Sequence, residues 1–256
     1  MIKRKKLFTG LIAITIALSL TACSNVEDEQ RQLIANQGPT ALYKQAKNNM
    51  EIGNFSAAAQ ILSSIDSKFP FGPLSHQVQL DLIYAHYKSG DIEQTLATID
   101  RFIRLNPNHA DVEYAIYMRG VVNMEQDANL FQAVFGVDRS DRDPSRSKEA
   151  FEDFRRLIEQ HPDSKYAPDA KQRMVFIKNR LAKYEIEVAR FYMRREAWVA
   201  AANRGRYVLE YFADTEQVQP ALEIMVASYN ELGLDQLKNN AVKTLRLNYP
   251  QSEFIN

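Results

Sequence analysis

The chain has 256 residues, with 32 basic side chains, 32 acidic side chains and one cysteine. This balance argues against a nucleic-acid partner, because proteins that neutralise phosphates need a clustered surplus of basic residues. A single cysteine also excludes an internal disulfide, so the fold must depend on a hydrophobic core, which a chain of this length can supply.

The N-terminus has the pattern of a bacterial lipoprotein signal peptide. Four basic residues (3–6) precede a mostly apolar run from Leu7 to Leu20, and the small residue Ala22 comes directly before Cys23. The apolar run is shorter than the ~20 residues that a membrane-spanning helix needs. We therefore expect residues 1–22 to be a signal peptide that is removed. Cys23 is then expected to carry covalent diacylglycerol and an N-acyl lipid, with no other cofactor.

A polar segment follows the cysteine and reaches residue 40. It is rich in acidic and amide side chains, and Gly38 and Pro39 interrupt it near its end. We predict that residues 23–40 form a lipidated flexible tether between the membrane and a folded body. Ser24, where an aspartate would favour retention in the inner membrane, makes the outer membrane the expected location.

Two markers recur at the same interval in the folded body. Gly53 and Gly90 are 37 residues apart, and so are Pro70 and Pro107. Such coincidence indicates a repeat of helix, turn and helix. We predict an all-α, tetratricopeptide-like solenoid of about five helix pairs over residues 41–250, followed by a C-terminal tail (251–256). The expected helices are 41–52 and 55–68, 75–89 and 92–105, 110–126 and 144–160, 167–194 and 196–212, and 218–232 and 234–247.

No motif of catalysis or metal binding is readable. The four histidines never form a close pair, and no glycine-rich loop could hold a phosphate. A calcium loop near residues 141–152 is disfavoured because Arg146 stands where the sharp turn needs glycine. A carboxylate pair, as in a muramidase, could be nominated from many acids, but solvated helix faces explain them better. We predict no enzyme activity and no metal site.

Several longer strings are more specific than the repeat pattern. They are Phe69–Pro73 (FPFGP), Gln79–Ala85 (QLDLIYA), Asp100–Pro107 (DRFIRLNP), Tyr117–Gly120 (YMRG), Phe135–Pro144 (FGVDRSDRDP), Arg180–Glu185 (RLAKYE) and Ala197–Val199 (AWV). In these strings the chain resembles the BamD family of outer-membrane assembly lipoproteins. The resemblance implies a non-enzymatic scaffold, facing the periplasm, in the machinery that inserts β-barrel proteins into the outer membrane. It also implies other assembly lipoproteins as partners.

The resemblance further implies a pocket in the N-terminal repeats for the C-terminal targeting strand of an unfolded barrel protein. Such a strand alternates apolar and polar side chains and ends in an aromatic residue. Phe69, Phe71, Tyr84 and Tyr87 are our candidates to bind its apolar side. The alternative for each of these rings is ordinary packing between helices.

In the C-terminal repeats, the resemblance implies a site for the last periplasmic domain of the barrel-forming subunit. Trp198, Asn203 and Arg204 are the candidate contacts, and the guanidinium of an arginine suits bidentate recognition. The alternative for Arg204 is an intramolecular or solvated arginine. For the whole chain, the alternative function is a periplasmic peptide- or cell-wall-binding lipoprotein built on the same repeats.

Overall fold

The computed structural model describes residues 38–127 and 144–255. Within these ranges the chain forms ten α-helices, a short 3₁₀ helix and no strand. The α-helices are α1 (Pro39–Glu51), α2 (Phe55–Lys68), α3 (Ser75–Ser89), α4 (Ile92–Leu105), α5 (Val112–Asp127), α6 (Ser145–Gln160), α7 (Ala167–Arg194), α8 (Trp198–Tyr211), α9 (Val218–Glu231) and α10 (Asp235–Asn248); the 3₁₀ helix is Glu253–Ile255. The predicted all-α, tetratricopeptide-like repeat of five sequential helix pairs is confirmed.

The turns within the pairs explain why these helices end where they do. Gly53, Gly90 and Gly233 have φ angles of +79°, +80° and +66°, a left-handed conformation that ends a helix and suits glycine. The following helix is capped in two cases: Asn54 accepts a hydrogen bond from the backbone N–H of Ala57, and Asp91 from that of Gln94. The recurring glycines were therefore sound markers of the repeat.

The chain divides into two compact units, with the boundary between Thr98 and Ile99. In the first unit, α2 packs against both α1 and α3. Its core consists of small and branched residues that are fully or almost fully buried: Leu42, Ala46, Ala58, Ala59, Ile61, Leu62, Ile65, Val78, Leu82 and Ala85. Phe69 and Leu74 pack against the edge of this core.

In the second unit, each helix from α5 to α10 packs against the next, and the 3₁₀ helix packs against α10 and α9. The sequence places the small residues Gly120, Ala150 and Ala241 where helices of such repeats would approach closely, and the structure agrees. Ala150 and Ala241 are buried, and a Cβ added to Gly120 would lie 2.6 Å from a ring atom of Phe154. That the two units form one continuous solenoid stays a prediction.

One expectation for the longest helix was wrong. The sequence spacing of Ile177, Leu181, Tyr184, Val188 and Phe191 predicts one apolar stripe along α7, but the Phe191 side chain is 43% exposed. The buried face passes instead through Glu185 and Ala189. An α-helix has 3.6 residues per turn, whereas the predicted stripe repeats about every 3.5 residues. The stripe therefore rotates around the axis of a long helix, and Phe191 leaves the buried face.

The signal peptide, Cys23 and most of the predicted tether lie outside the described residues, as does the loop expected between α5 and α6. The end of the tether is shorter than predicted, because α1 already begins at Pro39, where proline suits the first turn of a helix. In the ranges that the structure covers, no helix combines the length and the apolar character needed to cross a membrane.

Candidate partner-binding site

A cleft of about 400 Å³ opens near the C-terminus of the second unit. Its apolar lining includes Trp198 at the start of α8, Val226 on α9, Val242 on α10 and Phe254 on the 3₁₀ helix. Lys238, which also lines it, donates a hydrogen bond to Asn230 at 3.1 Å. Asn230, Glu231 and Glu253 also line the cleft, so it offers a ligand both apolar contact and hydrogen-bonding groups.

The three predicted α8 residues have different surroundings. Trp198 is half-buried and lines the cleft, whereas the described lining does not include Asn203 or Arg204. Asn203 is exposed. The structure therefore brings one of the three to the cleft and leaves the other two elsewhere on α8.

Arg204 has an ion pair within the chain. Its Nη1 donates to Oε2 of Glu185 on α7 at 2.8 Å, and this hydrogen bond raises the pKa of Arg204. The Glu185 side chain is only 7% exposed, but that of Arg204 is 40% exposed. The guanidinium is thus anchored by a buried acid on one side and remains accessible on the other. Its role toward a partner stays a prediction.

The four aromatic residues proposed for the targeting strand form two groups. Phe69 and Phe71 lie in the turn before α3, with Phe69 half-buried and Phe71 98% exposed. Tyr84 and Tyr87 lie near the other end of α3. The helix has 15 residues and is therefore ~22 Å long at 1.5 Å per residue. The two groups therefore lie toward opposite ends of α3.

Each of the two groups contains one exposed ring and one half-buried ring. The Tyr84 ring is 38% exposed and meets the Phe55 ring edge-on at 5.8 Å. Tyr87 is half-buried. An extended peptide advances ~3.3 Å per residue, so about seven residues would span the full length of α3. Binding of a strand along α3 stays a prediction.

Sequence reasoning missed a polar contact that occurs in both units. In the first, the Tyr43 hydroxyl donates to Asp81 at 2.6 Å, and Lys47 lies 3.5 Å from the same carboxylate. Burial, followed by this hydrogen bond, raises the pKa of Tyr43. In the second, Tyr117 donates to Asp169 at 2.7 Å. Each hydrogen bond joins the first helix of one pair to the first helix of the next pair. Aligning the repeats could have identified these recurring positions in the sequence.

Two observations concern metal ligands and histidines among the described residues. No group of three or more His, Cys, Asp or Glu side chains there could hold a metal ion. Burial lowers the pKa of His86, as expected for a histidine that packs in its neutral form. The described structure is therefore that of a helical-repeat protein with a cleft and exposed aromatic side chains suited to binding.

Comparison with known proteins specifies the family. Residues 35–245 match the family model YfiO, described as an outer membrane lipoprotein. The chain is 42% identical to the outer membrane protein assembly factor BamD of Vibrio cholerae, over 94% of this chain and 97% of that protein. It is 37% identical to the BamD of Pasteurella multocida and 35% identical to that of Neisseria meningitidis, each over 96% of this chain and 92% of the relative. The chain belongs to the BamD family, and the resemblance seen in its sequence is confirmed.

Proposed function

We propose that this chain is a non-enzymatic, lipid-anchored subunit of the β-barrel assembly machinery of the outer membrane, facing the periplasm. Family membership supports the assembly role, since the relatives are named outer membrane protein assembly factors. The lipoprotein pattern around Cys23 supports the anchor, because several acyl chains on one residue hold stably to a bilayer. Other assembly lipoproteins would dock on the same scaffold.

The anchor has a direct test. Cys23→Ser should abolish incorporation of labelled fatty acid and release the protein from the outer-membrane fraction. Ser24→Ala, next in the chain, serves as the matched control and should label normally. Labelling that persisted in the Cys23 variant would contradict the lipid anchor while leaving the assembly role open to its own test.

The second part of the proposal is that α8 binds the last periplasmic domain of the barrel-forming subunit. Arg204 is the observation that carries it. Because Glu185 already orients the guanidinium, Arg204 loses less conformational freedom on binding than an unanchored arginine would. Its exposed side can donate hydrogen bonds to a carboxylate in the bidentate geometry that arginine favours. Trp198 and Asn203 supply an apolar and a polar contact on the same helix.

Affinity purification from the native envelope tests this part. The lipidated protein, solubilised in detergent, should recover a barrel protein with periplasmic domains. Arg204→Glu should weaken that complex by about 2–4 kcal/mol if the residue is a binding hot spot, whereas the exposed neighbour Arg206→Glu should not. Thermal unfolding of each variant separates lost binding from lost folding. Undiminished recovery with Arg204→Glu would remove this residue from the interface.

The third part is that the first unit recruits the C-terminal targeting strands of unfolded outer-membrane proteins. Phe71 supports it most directly, because its aromatic side chain is 98% exposed and therefore accessible to a partner. A photo-crosslinker at position 71 or 84 should capture a peptide that alternates apolar and polar residues and ends in phenylalanine. The same group at Ile52, also exposed in the first unit, should not. Equal capture at all three positions would contradict the assignment.

A further inference from the structure

The turn between α7 and α8 has the same backbone structure as three other turns but a different residue at its critical position. Gly53, Gly90 and Gly233 each donate their N–H to the carbonyl three residues earlier, at 3.1 Å in every case. Glu196 makes the equivalent bond to Met193 at 2.9 Å and has a φ of +57°. In the described ranges it is the one residue other than glycine with a positive φ.

A glutamate is a poor residue for this conformation. A left-handed backbone brings the Cβ of an L-residue close to the following carbonyl, and glycine avoids this contact. Residues held in an unfavourable backbone conformation carry a conformational free-energy cost, and they cluster at functional sites. The side chain of Glu196 therefore calls for an explanation.

The surroundings of Glu196 indicate where its carboxylate acts. The residue is exposed, and neither an ion pair nor a side-chain hydrogen bond joins it to any other residue that the structure describes. It directly precedes the segment with half-buried Trp198 and 60% exposed Val199. On its other side, the Arg195 guanidinium lies 4.8 Å from the centre of the Phe191 ring. Glu196 is thus an acidic group at the edge of an aromatic and basic surface.

We infer that Glu196 is a specificity-determining residue of the α8 surface and pairs with a lysine or arginine on the periplasmic domain that binds there. This inference rests on the function proposed above for α8. An exposed charge at the rim of an interface contributes mainly to the rate and selectivity of association, through attraction that salt weakens. Arg195 and Arg204 attract acidic groups of a partner, whereas Glu196 attracts a basic group, so charges of both signs restrict how the partner can be oriented.

The experiment compares three variants in the full-length, lipidated protein in detergent. Glu196→Gly removes the side chain and the unfavourable conformation, while Glu196→Gln removes only the charge. Gly90→Glu places a glutamate at the equivalent turn of the first unit, where an added Cβ meets nothing within 4 Å. For each protein we would measure the melting temperature and the affinity for the periplasmic domain of the barrel-forming subunit at low and at high salt.

The inference predicts opposite changes in stability and affinity for the glycine variant. Glu196→Gly should melt about 2–4 °C higher, as expected for removal of a small conformational cost in a chain of this size. Both Glu196 variants should bind about threefold to tenfold more weakly at low salt, with a smaller difference at high salt. Gly90→Glu should melt lower and bind like the wild type.

The outcomes separate this inference from the function on which it rests. If the wild type binds the domain and Glu196→Gly binds equally well, Glu196 has no recognition role and only the inference fails. A lower melting temperature for Glu196→Gly would also overturn it, because the carboxylate would then be serving the N-terminus of α8. If the wild type itself does not bind the domain, the proposed role of α8 fails and takes this inference with it.

Discussion

Two copies of the dipeptide Arg-Gly lie in helices of the second unit, and their arginines differ in how exposed they are. Arg119 and Gly120 are in α5, while Arg204 and Gly205 are in α8. Each arginine pairs with a largely buried carboxylate on another helix, and at each glycine an added Cβ would lie within 3 Å of atoms of a neighbouring helix. An arginine beside a glycine thus combines close packing with a polar contact between helices.

The two arginines differ in how fully their donors are enclosed. Arg119 lies 2.8 Å from Asp153 through Nε and 2.6 Å through Nη2, and its Nη1 lies 2.8 Å from Asp100. Its side chain is 23% exposed, compared with 40% for Arg204. The difference teaches that ion pairing within a chain does not by itself remove an arginine from a binding surface; the fraction left exposed matters as well.

The largest effect should come from breaking the enclosed pair. Arg119→Ala should lower the free energy of unfolding by about 3–5 kcal/mol, because Asp153 would be left as a buried charge without its partner. Arg204→Ala should cost less, about 1–2 kcal/mol, since truncating the 40% exposed Arg204 side chain would let water reach Glu185. Urea unfolding followed by circular dichroism measures both, with the exposed Arg206→Ala as the control.

Binding to the periplasmic domain should rank the two arginine variants in the opposite order from stability. The folded fraction of Arg119→Ala should bind the periplasmic domain as well as the wild type does. Arg204→Ala should lose affinity although it is the more stable variant. Equal losses of stability, or a binding defect confined to Arg119→Ala, would show that exposure does not distinguish the two arginines.

The glycines predict a smaller effect. Gly120→Ala and Gly205→Ala should each lower the free energy of unfolding by about 1–3 kcal/mol through overpacking. At Gly120 the added Cβ would meet the Phe154 ring, while at Gly205 it would lie 2.8 Å from both the Ala221 carbonyl oxygen and Met225 Cγ.

A second substitution, at the residue that the added Cβ would meet, should distinguish the two glycine variants. Phe154→Leu should offset part of the cost of Gly120→Ala, because the obstacle there is a side chain. Met225→Ala should not offset that of Gly205→Ala, because the backbone oxygen of Ala221 remains in place. Double-mutant cycles of unfolding free energy measure both couplings. Rescue in both cycles would mean that α8 and α9 can move apart more easily than α5 and α6.

Most of the fold could be predicted because its signals are local. The predicted helix ends all lie within two residues of the observed ones, since glycine turns and helix-ending prolines act over a few positions. Gly120 could be recognised as a close-packing residue for the same reason. Glu196 could not, because a glutamate carries no signal of a left-handed turn, and only the structure shows that it replaces glycine.

The candidate site was less predictable because it depends on contacts between distant parts of the chain. Glu185 and Arg204 are 19 residues apart, and nothing in either local sequence indicates that they meet. The cleft beside Trp198 needs Phe254 from the 3₁₀ helix, in a segment that we had regarded only as a tail. Family resemblance could point to Arg204, but it could not say which carboxylate holds it.

The smallest predicted effect concerns a third, more exposed pair in the second unit, Arg173 with Asp169. Arg173 Nε lies 2.5 Å from the Asp169 carboxylate, whose side chain is 47% exposed. Burial alone would raise the pKa of Asp169, but the hydrogen bonds from Arg173 and Tyr117 outweigh it and hold the pKa below the usual value. A carboxyl group with a lowered pKa in the folded state contributes stability above its unfolded pKa of about 3.9.

That contribution is lost as the pH falls through the lower, folded pKa. Asp169→Asn should therefore be slightly less stable than the wild type at pH 7, and the difference should shrink steadily below about pH 4. Urea unfolding at a series of pH values measures this, with Asp163→Asn in the preceding turn as the matched exposed control. A difference that stayed constant down to pH 2 would mean that the carboxylate contributes through neutral hydrogen bonding alone. The Arg173–Asp169 pair would then differ from the Arg119 and Arg204 pairs in the physical origin of its stabilisation as well as in its magnitude.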